Sequence, residues 1–344
     1  MIDRCGIAIG EYKSPVKIAG AGEAQRCFYP FKIEPYGRGC SHNCLYCYAR
    51  SCNEFRGQWN PAYPHVTKLE TIRKVFKSAL YYGRTNGHIN KLIRSRVPVR
   101  IGSFTDCYGA AEAKWRNTRK LVQMLNSLRY PYLVMTKSAT ILEDAALLDP
   151  ELCYVQFSVS TNNDVKARVM EPGASSTSLR LDTIRQLREA GFWCAARINP
   201  MFPTHRDGHF SRGMESKEYK YFHWDLVDQC VEAGANTIIA GFLRLSPYNV
   251  TWIKEATGED LRWLFAGGYD NLALHFSTEE KRYYYERVKA RCDELGARFS
   301  VCYDGDDAYE EFKYLWAQPN DCCDGLGNIP AFRRNFGHLR PVFS

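Results

Sequence analysis

Three cysteines lie close together in one short loop: Cys40, Cys44 and Cys47, spaced Cys-x3-Cys-x2-Cys after Gly39. Thiolates this near in the chain pair poorly as disulfides, but they can converge on one soft metal centre. Four-iron clusters are held by cysteine thiolates, and a protein that supplies three leaves one iron open. An iron without a protein ligand can bind another molecule and take part in a reaction, so the loop predicts a reactive iron–sulfur cluster.

A structural zinc site is the main alternative. Zinc ribbons and fingers usually repeat a Cys-x2-Cys pair, with a second pair or histidines further along the chain. Here the first spacing is Cys-x3-Cys, and His42 lies between two of the cysteines, too close to be a clean fourth ligand. Unliganded core cysteines are the second alternative.

Composition favours an ordinary globular protein. The chain has 344 residues, of which 45% are hydrophobic and 24% charged. No stretch reaches the run of about 18 apolar residues that spans a bilayer, and the N-terminus lacks the apolar core of a secretion signal. The 14 cysteines are scattered through a chain with a full apolar complement. This favours a reducing, cytoplasmic location over a disulfide-rich secreted protein.

The chain is basic, with a formal net charge of +8. Part of this charge is clustered, in Lys91, Arg94, Arg96 and Arg100 and in Arg333, Arg334 and Arg340. Such a balance is compatible with a polyanionic partner such as nucleic acid. A solvated basic face without any such partner explains the charge equally well.

Short apolar runs alternate with amphipathic stretches, as in β/α units around a parallel sheet. Strands are predicted at residues 31–36, 99–105, 132–136, 155–160, 193–198 and 237–243. Helices are predicted at residues 69–82, 111–128, 178–190 and 221–233. Six units predict an α/β fold, a partial (β/α)6 TIM-like barrel with its chemistry at the carboxyl ends of the strands.

The alternation weakens after residue 246, although a helix at 278–295 and a strand at 298–302 are predicted there. We divide the chain into an N-terminal segment (1–30), the barrel (31–245) and a C-terminal extension (246–344) that closes the barrel or binds substrate. The cysteine loop follows the first predicted strand, where barrel chemistry is expected.

The cysteine loop resembles that of the radical S-adenosylmethionine superfamily, including the aromatic Tyr46 before the third cysteine. Four segments, in order over about residues 31–245, resemble the spore photoproduct lyase-like branch, also called DNA repair photolyase-like. They are residues 33–40 leading into 47–50, residues 105–108 with Glu112, residues 136–138, and Glu171-Pro172 followed by Arg180.

The resemblance implies that the three cysteines bind a 4Fe-4S cluster, whose fourth iron is chelated by S-adenosyl-L-methionine. It implies reduction by an external electron donor of the flavodoxin or ferredoxin type, and cleavage of the cofactor to methionine and a 5′-deoxyadenosyl radical. That radical removes a hydrogen atom from the substrate. The implied cofactor contacts are Tyr46, Tyr48, Ser103, Asp106, Lys137 and Ser158, and Tyr48 and Cys107 are also assigned to catalysis.

Some of these residues have a plainer explanation. Ser103 and Ser158 also fit as strand residues bonded to backbone, and Asp106 and Glu112 also fit as helix caps. Lys137 is harder to explain structurally, because a lysine that faces a barrel mouth needs an anionic partner.

One position departs from the branch. In spore photoproduct lyase, a cysteine before the residue that matches Ser103 returns a hydrogen atom to the product radical, and here that position is Gly102. Direct repair is therefore not expected, unless Cys107 or another thiol takes over. The departure suits a rearrangement in which the adenosyl group returns the hydrogen atom.

We expect a nucleic acid or modified nucleotide as substrate, specifically a pyrimidine. A concrete version is isomerisation of an amino-acid-decorated thymidine in phage DNA hypermodification. A peptide or small-metabolite substrate is the alternative, and an iron–sulfur or zinc protein that binds nucleic acid without catalysis is the third hypothesis.

Two further groups are candidates without a clear spacing pattern. Cys292, Cys302, Cys322 and Cys323 are candidates for a second cluster, and Cys302, Cys322 and Cys323 fit equally well as pocket-lining or hydrogen-donor thiols. His205 and His209 follow the fifth predicted strand and are candidates for orienting substrate or transferring protons.

Overall fold

The computed structural model describes residues 16–18, 29, 31–62, 64–203, 205–206, 217–218, 221–265, 269–270, 273–302, 311–319 and 321–332. Four of the residues singled out above lie outside this part of the chain: His209, Arg333, Arg334 and Arg340. For His205 only its place in a short strand is described.

The strands are β1 (Val16–Ile18), β2 (Phe31–Ile33), β3 (Tyr36–Gly37), β4 (His65–Val66), β5 (Val99–Ile101), β6 (Tyr132–Thr136), β7 (Cys153–Ser158), β8 (Trp193–Met201), β9 (His205–Arg206), β10 (Lys217–Glu218), β11 (Thr237–Phe242), β12 (Tyr269–Asp270), β13 (Ala273–Leu274) and β14 (Arg298–Val301). The α-helices are α1 (Tyr48–Glu54), α2 (Leu69–Leu80), α3 (His88–Arg94), α4 (Ala110–Trp115), α5 (Asn117–Ser127), α6 (Asp164–Met170), α7 (Thr177–Glu189), α8 (Asp225–Glu232), α9 (Pro247–Thr257) and α10 (Thr278–Glu294). Short 3-10 turns span Ala139–Asp144, Leu261–Leu264, Lys313–Leu315 and Leu326–Asn328.

The main sheet has the order β1-β2-β5-β6-β7-β8-β11-β14, in which β1 is antiparallel to β2 and the others are parallel. The spatial order of the parallel strands is their order in the chain. Right-handed crossovers that always step the same way put the helices on one side, so the sheet curls into a barrel. The predicted α/β partial barrel is confirmed, and β14 adds a parallel strand from the predicted C-terminal extension.

Alternate residues of each strand face two different apolar clusters. In β6, Tyr132 and Val134 pack in the outer core against the helices, whereas Leu133 packs in an inner cluster. The same alternation places Tyr154 and Ala195 in the inner cluster. This two-residue period identifies the second set of side chains as the barrel lumen.

A segment near the C-terminus fills the amino end of this lumen. Cys323 and Phe332 belong to the inner cluster, and the Cys323 carbonyl accepts a 2.8 Å hydrogen bond from Tyr154. Asp324 pairs with Arg298 at the first residue of β14. The described residues 321–332 therefore form a plug, and the lumen opens toward the carboxyl ends of the strands.

Several predicted elements have other bounds in the structure. The helix predicted at 111–128 is two helices, because Arg116 adopts a left-handed conformation (φ 49°) between α4 and α5. The strand predicted at 31–36 ends at Ile33, and Tyr36–Gly37 pairs separately with β4. The strand predicted at 99–105 ends at Ile101, so Ser103 lies two residues beyond β5 rather than within it.

Helices α1, α3, α6 and α9 were not predicted. The first three have seven residues each, which is fewer than two full turns and leaves little apolar periodicity to detect. Helix α9 begins at Pro247, where the predicted alternation weakens. The proline's position at the first helical residue, behind a Ser246 capping box, starts the helix.

The predicted basic cluster at residues 91–100 is divided by the fold. Lys91 and Arg94 are exposed on α3, whereas Arg100 alternates with the outer-core residues Val99 and Ile101 and so faces the lumen. Over the described ranges, none of the helices has the length and apolar character needed to cross a membrane.

Candidate active site

The cysteine loop connects β3 to α1 beside the carboxyl ends of the strands. Cys47 is the N-cap of α1, and its sulfur accepts a hydrogen bond from the Arg50 amide at 3.4 Å. The Cys40 sulfur accepts from the Asp106 amide at 3.5 Å. Cys44, which lies between these two cysteines in the sequence, is buried. Two of the three sulfurs thus already receive backbone N–H groups.

Glycines let neighbouring backbone approach the loop closely. A Cβ atom at Gly39 would overlap the carbonyl oxygen of Asn60, and one at Gly173 would overlap that of Ser41. The Leu45 amide donates to the Met170 carbonyl at 2.9 Å. Only glycine fits at positions 39 and 173. These close backbone contacts and the Leu45 hydrogen bond hold the loop in one conformation.

Asp106 joins the loop to two strand ends. Its carboxylate accepts hydrogen bonds from the Thr136 hydroxyl and the Lys137 amide, both at 2.7 Å, and from the Tyr108 amide at 2.9 Å. His42 Nδ1 lies 3.3 Å from the same carboxylate. Burial lowers the pKa of His42, so the neutral ring donates to Asp106 and positions the loop.

Glu34 organises the turn after β5. One carboxylate oxygen accepts from the amides of Ser103 and Phe104, at 2.8 and 3.1 Å, and from the Ser103 hydroxyl. The other oxygen is buried without a hydrogen-bond partner among the described residues. Burial raises the pKa of Glu34. The Ser103 carbonyl accepts in turn from the Tyr48 hydroxyl at 3.1 Å.

Tyr46 reaches a buried ion pair on the far side of the loop. Its hydroxyl donates to Glu171, whose carboxylate also pairs with Arg180. Arg180 donates to the Ser158 carbonyl at 2.8 Å, at the end of β7. Burial raises the pKa of Glu171, and Arg180 opposes that rise. This network links the third cysteine's neighbour to the strand ends.

Lys137 lies at the mouth, immediately after β6. Its half-buried ammonium is 5.8 Å from the centre of the Tyr46 ring, and no carboxylate of the described chain forms an ion pair with it. Burial raises the pKa of the Cys44 and Cys47 thiols, and the Lys137 charge opposes the rise. Burial also raises the pKa of Cys40 to about 12.

Comparison with known proteins yields distant relatives, and no family model matches the chain. A radical SAM Nα-GlyT isomerase of Pseudomonas phage M6 is 23% identical over 312 residues, covering 86% of this chain and 58% of that protein. An uncharacterized protein of Mycobacterium tuberculosis H37Rv is 27% identical over 183 residues, covering 52% of each. The chain thus spans between half and three fifths of the length of these two relatives.

Solved structures share the fold over most of the chain. Spore photoproduct lyase complexed with dinucleoside spore photoproduct has a TM-score of 0.58 at 15% identity, covering 86% of this chain and 81% of that one. A mutant with bound AdoMet and the same dinucleoside has the same TM-score and identity, over 85% and 80%. The chain is thus similar in sequence to a radical SAM isomerase and shares the fold of spore photoproduct lyase.

The three cysteines of this site fit a four-iron cluster. Within the described residues, no three Cys, His, Asp or Glu side chains converge as they would on a single metal ion. In a cluster each cysteine binds a different iron, so the sulfurs lie further apart. Backbone N–H groups directed at Cys40 and Cys47 match the hydrogen bonds that cluster sulfurs receive. Because burial keeps the three thiols protonated, metal binding must release protons.

Unsatisfied polar atoms surround the mouth. Three atoms at or just beyond the carboxyl ends of β2, β5 and β7 are buried without a partner in the described chain: Glu34 Oε2, Thr105 Oγ1 and Ser160 Oγ. Buried polar groups are normally hydrogen-bonded. Their arrangement, together with the Lys137 ammonium, suits a polar cofactor with a carboxylate, an amine and hydroxyls.

The predicted residues fall into two groups. The structure brings together the three cysteines, Tyr46, Tyr48, Ser103, Asp106, Lys137 and Ser158, whose cofactor contacts stay predictions. Cys107 packs in the outer core with its sulfur 3.8 Å from the Met135 carbonyl, and its catalytic assignment also stays a prediction. Glu112 accepts from the Thr118 and Arg119 amides, at 2.8 and 3.0 Å, and thereby caps α5.

The four later cysteines do not form one group. Cys292 lies in the outer core, whereas Cys322 and Cys323 lie in the inner cluster with Cys302 packed against it. The Cys302 sulfur accepts from Arg197 at 2.9 Å. These contacts favour the lumen-lining alternative for Cys302, Cys322 and Cys323.

The sequence analysis assigned no role to Glu34, His42, Gln156 or Arg197. Glu34 follows an apolar strand directly, and His42 separates two ligands, so both carried a detectable signal. Gln156 and Arg197 are single polar residues inside strands, where only alternation with buried apolar neighbours marks them.

Proposed function

We propose that this chain is a radical S-adenosylmethionine enzyme that isomerises a modified pyrimidine, namely a thymidine carrying an amino acid. A cytoplasmic location and a reductant of the flavodoxin or ferredoxin type complete the proposal. The relative from Pseudomonas phage M6 supports the substrate class, since it is named an Nα-GlyT isomerase. We read that substrate as thymidine linked to glycine through nitrogen.

One observation carries the proposal: the three-cysteine loop is fixed at the mouth of an open barrel, facing a half-buried lysine without an ion pair in the described chain. When bound there, the reduced cluster supplies the electron that cleaves S-adenosylmethionine and starts radical chemistry. Lys137 would bind the methionine carboxylate, and Ser103 and the free oxygen of Glu34 would orient polar groups of the cofactor.

The protein's own contribution is orientation and exclusion of water. The Asp106 contacts hold the loop against β6, and the plug closes the opposite end of the lumen. An isomerisation needs no external hydrogen donor when the removed atom returns to the product. The glycine at position 102 is compatible with that outcome.

The test is turnover under anaerobic conditions. The reconstituted protein is mixed with S-adenosylmethionine, dithionite and thymidine linked to glycine through the glycine nitrogen (the N-linked glycine–thymidine), as the nucleoside and in DNA. We expect 5′-deoxyadenosine, and a product of unchanged mass with a new chromatographic retention time. Cofactor cleavage without conversion of either thymidine substrate contradicts the proposed substrate class. Absence of any cofactor cleavage favours a noncatalytic protein.

A further inference from the structure

The barrel lumen is lined by cations. Lys32 on β2 lies in register with Arg100 on β5, and both alternate with outer-core residues. Arg197 on β8 lies beyond Ala195, which belongs to the inner cluster. Arg100 and Met135 remain partly exposed although they lie within central strands. Solvent therefore reaches the lumen between the mouth and the plug.

Arg197 differs in its partners from Arg180, which is also buried. Its guanidinium donates to Gln156 Oε1 at 3.0 Å, to the Cys302 sulfur at 2.9 Å and to the Cys323 sulfur at 3.6 Å. Only 6% of Arg197 is exposed, yet no carboxylate among the described residues pairs with it. A buried charge normally has a charged partner.

The contrast with two other arginines is direct. Arg180 pairs with Glu171 in the wall of the barrel, and Arg298 pairs with Asp324 at the plug. Both therefore carry their counter-charge within the protein. Arg197 has only thiols and an amide, which match a guanidinium poorly.

Gln156 supplies an independent observation. Its side chain is fully buried, and its amide nitrogen Nε2 has no hydrogen-bond partner in the described chain. The same side chain accepts from Arg197 through its oxygen. The unused Nε2 donor of Gln156 and the neighbouring Arg197 guanidinium can together bind one oxyanion.

The neighbouring acidic groups are already engaged. Glu34 is the carboxylate that Lys32 and Arg100 face. Asp321 accepts from Tyr29 at 3.0 Å, and Asp324 is held by Arg298. Arg197 and a hydrogen bond from Cys322 lower the pKa of Cys323 to about 6, with the Cys322 bond the larger cause. With that pKa Cys323 is largely ionised at neutral pH, so it gives Arg197 a partial counter-charge in place of a carboxylate.

We propose that Arg197 and Gln156 form an oxyanion subsite on the floor of the lumen, which binds a carboxylate or phosphate of the substrate. The inference rests on the proposed function and deepens it. Glycine linked through its nitrogen keeps a free carboxylate, and a nucleotide carries a phosphate. Either group, entering from the mouth, meets the planar fork of Arg197 with the unused Gln156 donor beside it.

The test measures binding rather than turnover. The reconstituted protein, with S-adenosylmethionine and no reductant, is titrated calorimetrically with the N-linked glycine–thymidine, its glycinamide counterpart, thymidine 5′-monophosphate and thymidine. A carboxylate subsite binds the acid at least about tenfold tighter than the amide. A phosphate subsite instead gives a similar preference for the monophosphate over thymidine. Equal binding within both pairs overturns the proposal.

Variants assign the preference to Arg197. Arg197→Gln should reduce the preference to near one, whereas Arg185→Gln, the same charge change on the exposed face of α7, should leave it unchanged. A preference that survives Arg197→Gln overturns the assignment. If that variant does not fold, Gln156→Glu supplies Arg197 with an internal carboxylate, and the preference should again disappear.

The two proposals fail separately. Turnover of the N-linked glycine–thymidine by a protein that shows neither preference removes the subsite and leaves the function. Preferential binding of the anion without any turnover removes the function and leaves the subsite.

Discussion

Cys47 combines two roles in one side chain. Its sulfur caps α1 by accepting the Arg50 amide, and the same sulfur is a candidate iron ligand. The helix N-terminus favours negative charge, so a thiolate at this position suits both roles. A candidate ligand that also caps a helix is positioned by the backbone and not by its own rotamer alone.

We expect Cys44→Ala to lower the iron content of the anaerobically reconstituted protein from about four atoms to below about one per chain, because two thiolates hold a cluster poorly. Iron analysis and the visible absorption of the cluster measure this loss. Cys52→Ala is the matched control, since Cys52 is an exposed cysteine of α1. Iron retained in Cys44→Ala but lost in Cys52→Ala would contradict the ligand assignment.

Gly102 cannot easily be a cysteine in this backbone. Its φ is +74°, and a Cβ atom would lie 2.9 Å from the Thr105 carbonyl oxygen and 3.3 Å from the Cys107 Cβ. Both the left-handed conformation and the contact favour glycine. The backbone conformation of the turn after β5 therefore favours glycine, and not cysteine, at position 102.

We therefore expect no repair of spore photoproduct. The reconstituted enzyme, incubated with dinucleoside spore photoproduct, S-adenosylmethionine and dithionite, should release no thymine dinucleoside above a control without enzyme, as measured by liquid chromatography and mass spectrometry. Formation of the thymine product would show that another thiol replaces the absent donor.

At the scale of elements, the site depends on contacts between loops that follow different strands. Asp106 lies after β5 and bonds to the end of β6 and to the cysteine loop. Glu34 lies after β2 and bonds to the turn after β5. Each carboxylate therefore ties the ends of neighbouring parallel strands to one another.

We expect Asp106→Asn to lower the free energy of unfolding by about 2 kcal/mol, because an amide replaces one of two acceptor oxygens with a donor facing other donors. Urea denaturation monitored by circular dichroism measures the change. Iron retention should fall as well, since the loop loses its contact through His42. Asp182→Asn, on the exposed face of α7, should alter neither quantity.

At the scale of the whole molecule, the barrel has two distinct ends. The mouth carries the cysteine loop and Lys137, and the amino end is closed by the plug, whose Cys323 and Asp324 bond to strand residues. The later cysteines belong to the lumen and the outer core rather than to a common site.

We accordingly expect about four iron atoms and four sulfide ions per chain after full reconstitution, which corresponds to one cluster. Colorimetric iron and sulfide assays on protein quantified by amino-acid analysis measure the ratio. A reproducible value near eight would establish a second cluster and contradict the separation of Cys292 from Cys322 and Cys323.

Much of the fold was accessible from local pattern. The strand from Tyr132 to Thr136 has the predicted bounds, and Lys137 follows it as expected. The break at Arg116 was not, since it depends on contacts from outside the helix. There the Tyr36 hydroxyl accepts from the Asn117 amide at 3.1 Å and donates to Glu112, whose carboxylate caps the new helix. Local propensity carries no information about such partners.

The sequence by itself determined the chemistry that is available: three clustered cysteines, their place after a strand, and the family that this spacing resembles. Side-chain type and short spacing are local properties, which a chain displays without folding. Only the tertiary structure decided which polar groups are satisfied and which are not. Nothing in the sequence marked Arg197 as different from a paired arginine, yet it faces thiols and Gln156, whereas Arg180 is paired with Glu171. That difference arises because burial and partners depend on residues far apart in the chain.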